Sequence, residues 1–229
     1  MSRDTHLRAV LVDIDGTLID SNDAHARAWM AALKSHHLDC SFDRVRPLIG
    51  KGGDKLLSEL LGLQGDSDVA KAISKERGRL FRAQELHSLR PTPGARELLM
   101  KIKAAGLKVV VATSAQPSGT DALLRQGGID DLIDHEADSG DAAQSKPDPD
   151  IVQSALRKAA VRPSEAIMLG DTPYDIEAAQ KAGVRAIALR SGGWWNDSAL
   201  QGAMAIFDSP AELLENFAAS VLSTRSGRD

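Results

Sequence analysis

Two aspartates one residue apart, Asp13 and Asp15, end the apolar run of "VLVDIDGTLIDSN" (residues 10–22), and a Gly16-Thr17 turn follows at once. One polar residue is enough to finish a strand. Two carboxylates on so short a stretch repel each other unless a positive charge lies between them. Polar groups also follow apolar runs elsewhere: Thr113 and Ser114 after "LKVVVA", and Asp171 with Asp175 in "GDTPYD" after "EAIML". Lys146 lies in "SKPDPD", ahead of a helical stretch. In an open α/β sheet, loops at the carboxyl ends of the strands converge on one crevice. These carboxylates, hydroxyls and the lysine are therefore expected to meet there. Hard oxygen donors of this kind suit Mg²⁺, which would also relieve the repulsion between the first two carboxylates. With a phosphate group bound alongside, Mg²⁺ and Lys146 could neutralise its charge. One aspartate could then attack phosphorus while another moves the proton.

The elements that must position these residues are legible from pattern. "RAVLVDID", "LKVVVATS", "EAIMLGD" and "VRAIALRSGG" read as buried parallel strands, with "LIDHEAD" a weaker candidate and "AIF" a short last strand. Helical stretches separate them. Thr92-Pro93, Asp148-Pro149, Thr172-Pro173 and Ser209-Pro210 each set a capping side chain before a proline suited to the first helical position. Gly106, Gly128 and Gly183 follow helices where a left-handed residue is often needed. This alternation predicts an α/β fold, a doubly wound and mostly parallel sheet. Between about Asp20 and Arg90 no strand is evident, only helical pattern. Residues 20–90 are therefore expected to form an inserted α-helical cap, with 1–19 and 91–229 as the catalytic core and the final "STRSGRD" as a frayed tail.

Bulk properties narrow the classes of function. The 229 residues carry a formal net charge of -4, so no basic field for nucleic acid is present. No apolar stretch reaches the roughly 20 residues of a membrane span. A single cysteine, Cys40, cannot form an internal disulfide and is expected as a small buried apolar residue. These features lead us to expect a cytoplasmic protein, monomeric by default, acting on a small molecule rather than on a membrane or nucleic acid.

"DIDGTLIDS", the Thr113-Ser114 strand end, "SKPDPD" and "GDTPYDIEAA" resemble, in order, the four motifs of the haloacid dehalogenase superfamily. The match is to its phosphatase-like members with a helical cap after the first motif. The resemblance implies Mg²⁺-dependent hydrolysis of a small phosphorylated metabolite through an aspartyl-phosphate. Asp13 would be nucleophile and metal ligand. Asp15 would be general acid/base, with its backbone carbonyl on the metal. Thr113 would bond the phosphoryl oxygens, helped by backbone N–H groups around Gly16 and Ser114. Lys146 would bridge phosphate and nucleophile, and Asp171 would complete the protein ligands. Asp175 would reach the metal or orient Lys146, although its third helical position equally suits plain helix capping.

Other readings are weaker. "DSNDAHARAW", with His25 and Trp29, resembles phosphosugar mutases of the β-phosphoglucomutase type. Those mutases carry an acidic residue where this chain has Gly170. A dehalogenase would leave Asp15 and Asp171 unexplained, a phosphonate hydrolase has a different residue at the Asp15 position, and a binding module would not need the acid/base set. Within the cap, Arg46, Lys51 and the Gly50–Gly53 loop could hold a distal anion of the substrate, or could be ordinary loop chemistry. Ser21 or Asn22 could cap the first cap helix. His25 is open between packing and proton transfer, Trp29 is expected in the cap core, and Trp194 and Trp195 bury against the core or line an entrance.

Overall fold

The computed structural model describes residues 6–223, which leaves nearly all of the expected C-terminal tail outside the described residues. In chain order the elements are β1 (Ala9–Val12), α1 (Asn22–Ser35), α2 (Phe42–Val45), α3 (Gly53–Leu61) and α4 (Asp68–Leu80), which a π-helical turn prolongs through Phe81–Glu85. There follow α5 (Ala95–Ala104), β2 (Lys108–Ala112), α6 (Pro117–Gln126), β3 (His135–Ala137), α7 (Asp150–Ala159), β4 (Ala166–Gly170) and α8 (Pro173–Lys181). The chain continues with β5 (Arg185–Leu189), α9 (Asp197–Leu200), β6 (Ala205–Phe207) and α10 (Pro210–Glu215).

The six strands form one sheet in the order β3-β2-β1-β4-β5-β6, every neighbouring pair parallel. All four residues of β1 are buried because both faces of the sheet are covered. Val10 and Val12 pack with Leu98, Leu99 and Ile102 of α5 on one face. Ala9 and Leu11 pack with Ile151, Val152 and Ala155 of α7 on the other. The strand order reverses at β1, which opens a crevice at the carboxyl ends of β1 and β4. Register keeps those ends level: Val12 is opposite Val111 on one side and Leu169 on the other. Asp13 is thus level with Ala112 and Gly170, and Thr113 and Asp171 follow one residue beyond at the same end of the sheet.

The helices α1 to α4 pack about a cluster of their own that includes Trp29, Leu33, Val45, Leu56, Leu57 and Ile73. The connectors leading into and out of this layer run side by side. Ile19 bridges Pro91, the Asp20 amide donates to Arg90 O at 3.0 Å, and the Thr92 amide donates to Leu18 O at 2.9 Å.

Local expectations fare unevenly. Thr172 and Ser209 do cap α8 and α10, accepting from the Asp175 and Glu212 amides. Thr92 does not cap α5, which begins after Gly94 at φ 77°; its hydroxyl instead donates to Thr17 O at 2.7 Å and ties the two connectors. Asp148 does not cap α7, which starts one residue later than expected, because its carboxylate is drawn to Lys55 and Lys181. Cys40 is only half-buried against the helical layer, not a core residue. No described helix is long and apolar enough to cross a membrane.

Candidate active site

Asp13, the first residue after β1, turns its carboxylate into the crevice and is buried. The Lys146 ammonium reaches the same point from the loop before α7 and donates to Asp13 Oδ1 and Asp175 Oδ1, each at 2.6 Å. Lys146 is 1% exposed, so this charge is sustained by its two carboxylates and not by water. Burial alone would weaken the ammonium, but Asp13 and Asp175 hold it well above the ordinary lysine value. Burial pushes the Asp13 carboxyl up against the pull of Lys146.

Asp171 follows β4 and accepts from Thr17 Oγ1 at 3.1 Å and Asn22 Nδ2 at 2.8 Å. Burial and the neighbouring Asp175 push its carboxyl up to about 7. The backbone around Asp171 admits no extra atoms. A Cβ on Gly192 would lie 1.9 Å from Asp171 Oδ2, and one on Gly16, at φ 76°, would lie 2.3 Å from it. Asp175 does both things open to it from sequence: it forms a capping box with Thr172 and it grips Lys146.

Ligand oxygens of Asp13, Asp171 and Asp175 all lie within 4.8 Å of one another, and all three residues are buried. Three hard carboxylate donors against one ammonium leave excess negative charge in a low-dielectric site. Asn22 Oδ1 is buried there without a donor. This donor set fits a divalent cation of the oxygen-loving kind. The Asp15 side chain is not part of it.

Asp15 faces the helical layer instead. It accepts from Ser21 Oγ at 2.5 Å and pairs with His25 Nε2 at 2.7 Å. Arg77 Nη1 lies 3.4 Å from His25 Nδ1. Arginine can only donate, so Nδ1 is the acceptor and Nε2 carries the proton directed at Asp15. His25 is further fixed by stacking on Phe81, centroids 4.0 Å apart. Burial would raise the Asp15 carboxyl, but His25, Ser21 and Arg77 outweigh it and hold the group below the usual carboxylate range.

Thr113 is buried just after β2, where its hydroxyl accepts from the Ala115 amide at 3.1 Å. Ser114 Oγ accepts from the Lys146 amide at 3.4 Å and so links the two loops. The cap cations named from sequence lie elsewhere. Arg46 is 3% exposed, pairs with Asp23 at 2.6 Å and donates to Gly192 O. Lys51 pairs with Glu59 and stands over the Tyr174 ring, 4.7 Å from its centroid. The glycines beside Lys51 approach the core closely: a Cβ on Gly52 would sit 2.4 Å from Ser145 Cβ, and one on Gly50 would sit 2.9 Å from Thr172 Cγ2. Trp195 packs edge-on against Tyr174, and Trp194, 39% exposed, meets Phe42 and Arg46.

Sequence reasoning passed over several participants. Ser21 occupies the N-cap position of α1 but makes no capping bond, its hydroxyl being spent on Asp15. Thr17 and Asn22 hold Asp171 across more than 140 positions of chain, and Asp54 and Lys55 tie α3 to the Lys146 loop through Ser145. Only their nearness to the first aspartates marked Thr17 and Asn22; nothing local marked Asp54 or Lys55.

A family model described as haloacid dehalogenase-like hydrolase matches residues 7–183. The chain belongs to that family and is an enzyme of phosphatase type. It is similar to Protein CbbY of Cereibacter sphaeroides, 31% identical over 220 residues that cover 90% of this chain and 94% of the relative. It also resembles a phosphoglycolate phosphatase of Rhodospirillum rubrum, 30% identical with 90% and 89% covered. Among solved structures, a hydrolase from Pseudomonas syringae superposes with a TM-score of 0.86 at 26% identity, covering 93% of this chain and 98% of that one.

Proposed function

We propose that the protein hydrolyses a small-molecule phosphate monoester with Mg²⁺, through an aspartyl-phosphate on Asp13. The observation that carries this reading is the buried Lys146 ammonium shared between Asp13 and Asp175, with Asp171 beside them, at the ends of β1 and β4. Asp13, Asp171 and Asp175 would hold the cation, with the Asp15 backbone carbonyl. The cation supplies charge neutralisation for the phosphoryl group during transfer. Residues 20–90 act as a cap that closes over the substrate and excludes water.

In the first step an Asp13 oxygen bonds to phosphorus as the ester P–O bond breaks, and Asp15 protonates the leaving alkoxide. In the second, Asp15 takes a proton from water, whose oxygen bonds to phosphorus as the Asp13–phosphorus bond breaks. Thr113, Ser114 and the amides near Gly16 orient the phosphoryl oxygens, and Lys146 keeps Asp13 aimed. The Asp15 carboxylate faces Ser21 and His25, which favour its ionised form, so its acid/base work requires it to take up a proton and turn toward the leaving oxygen. We assign Arg46 and Lys51, given above as candidate anion binders, to the seam between cap and core.

A mutase of the β-phosphoglucomutase type is disfavoured by the crowding at Gly170, where a Cβ would lie 2.5 Å from the Asp175 Cβ. An acidic side chain there would displace the residue that holds Lys146. The test is a panel of phosphomonoesters with Mg²⁺, followed by phosphate release and by sugar-phosphate isomer formation. Wild type should release phosphate, and Asp13→Asn should lower kcat at least about 1000-fold while keeping the fold. Undiminished turnover by Asp13→Asn would refute the assignment.

A further inference from the structure

The cap and core enclose a cavity of about 1080 Å³, at the upper end of what small-molecule sites need. Its lining includes Ser114, Ser145 and His25. These are, respectively, next to Thr113, next to Lys146 and bonded to Asp15, so the cavity abuts the carboxylate cluster on the leaving-group side. Asp13 and Lys146 lie behind this wall.

The charge on the cavity wall is opposite to that of the chain. Lys55, Lys71, Lys75, Arg77 and Arg82 line it against Asp54 and Asp66, in a protein of net charge -4. Lys55 is spent on Asp148 and Ser145 O. Lys71, Lys75, Arg77 and Arg82 pair with no carboxylate among the described residues, whereas Arg27, Arg46, Arg79 and Arg190 all do. Lys71 and Lys75 stand four residues apart on α4, so their two charges share one face.

Arg77 is the innermost of these cations. Its guanidinium stacks over Trp29, 4.9 Å from the ring centroid, and Nη1 meets His25. Its Nε is buried with no acceptor. A guanidinium in a cavity wall with no carboxylate beside it is costly unless an anion from the cavity completes it.

Building on the phosphatase reading, we propose that the substrate carries a second anionic group on its leaving-group portion. This carboxylate or phosphate is selected by Arg77, with Lys71, Lys75 and Arg82 providing the surrounding positive field. Arg77 is then a specificity-determining residue, and the distal-anion site lies on α4, not on the Arg46–Lys51 segment.

The test uses the full-length protein with Mg²⁺ and matched substrate pairs. Glycerol 3-phosphate is set against 3-phosphoglycerate for a carboxylate, and fructose 6-phosphate against fructose 1,6-bisphosphate for a phosphate; p-nitrophenyl phosphate reports the chemistry alone. A charge-assisted pair predicts that kcat/KM favours the second anion by about 10- to 100-fold in at least one pair, which also says which anion is read. Arg77→Met should cancel most of that preference, chiefly through KM, and Arg77→Lys should restore part of it. The exposed Lys71→Gln/Lys75→Gln double variant, which leaves Arg77 in place, should lower the preference about threefold and flatten its dependence on salt. No preference in either pair, with p-nitrophenyl phosphate still hydrolysed, overturns this inference and leaves the phosphatase reading standing. A preference that survives Arg77→Met and the double variant overturns it equally. Failure of wild type on every ester sinks both.

Discussion

Asp171 shows how one residue's surroundings set a measurable behaviour. Its carboxyl is pushed up to about 7 from an ordinary value of 3.8, burial being the larger cause and Asp175 the next. The folded, metal-free protein therefore binds a proton there that the unfolded chain has already lost. Between about pH 4 and pH 7 that difference favours unfolding as pH rises, and a cation must displace the same proton. Stability of the EDTA-treated protein should fall across this window, while affinity for Mg²⁺ should climb and level off above about pH 7. Calorimetric titration at several pH values, with urea unfolding of the metal-free protein, checks both halves. A cation affinity flat from about pH 5.5 to 8 would show that Asp171 is not what the metal titrates against. Asp13 and Lys146 were readable as residues, because their motifs are short and local. That Asp15 turns to His25 was not, because the partner's orientation depends on Phe81 and Arg77 arriving from a different helix.

Among the elements, the seam between α2–α3 and the core shows where sequence reasoning stops. A loop rich in glycine with Arg46 and Lys51 is consistent with anion binding, yet the same composition serves close packing. The added Cβ contacts at Gly50 and Gly52 are with Thr172 and Ser145, both core residues. Arg46 spans the seam, buried between Asp23 and Gly192 O. Arg46→Ala should destabilise the protein by about 1–3 kcal/mol, the cost of losing a charged hydrogen bond and leaving a buried carbonyl unsatisfied. Activity should fall by similar factors for all esters. Urea midpoints and a substrate panel decide it: a rise in KM confined to doubly anionic substrates at unchanged stability would return Arg46 to substrate binding. The strands were readable because a sheet covered on both faces demands continuous apolar runs. The starts of α5 and α7 were not, since Thr92 and Asp148 had better partners across the fold.

Across the whole molecule, a sealed site implies coupling between occupancy and stability. Asp13, Lys146, Asp171 and Asp175 are each at most 5% exposed. A ligand that binds only the folded form at about 100 times its Kd adds about 2.7 kcal/mol. For a chain of this length that amounts to a rise in Tm of about 5–10 °C. Mg²⁺ with inorganic phosphate should produce such a shift, EDTA should remove it, and Asp171→Asn should lack it; scanning fluorimetry reads all three.

Sequence by itself determined which apolar runs become buried strands and which carboxylates stand at their ends. Local hydrophobic pattern and turn chemistry are properties of short segments, so they survive without a fold. Only the tertiary structure decided which cations are spent and which remain free. Arg46 reaches Gly192 O and Lys51 stands over Tyr174 across the seam, whereas Arg77 lines the cavity with no carboxylate partner among the described residues. Pairing of that kind depends on distances between segments far apart in the chain, and no single stretch encodes them.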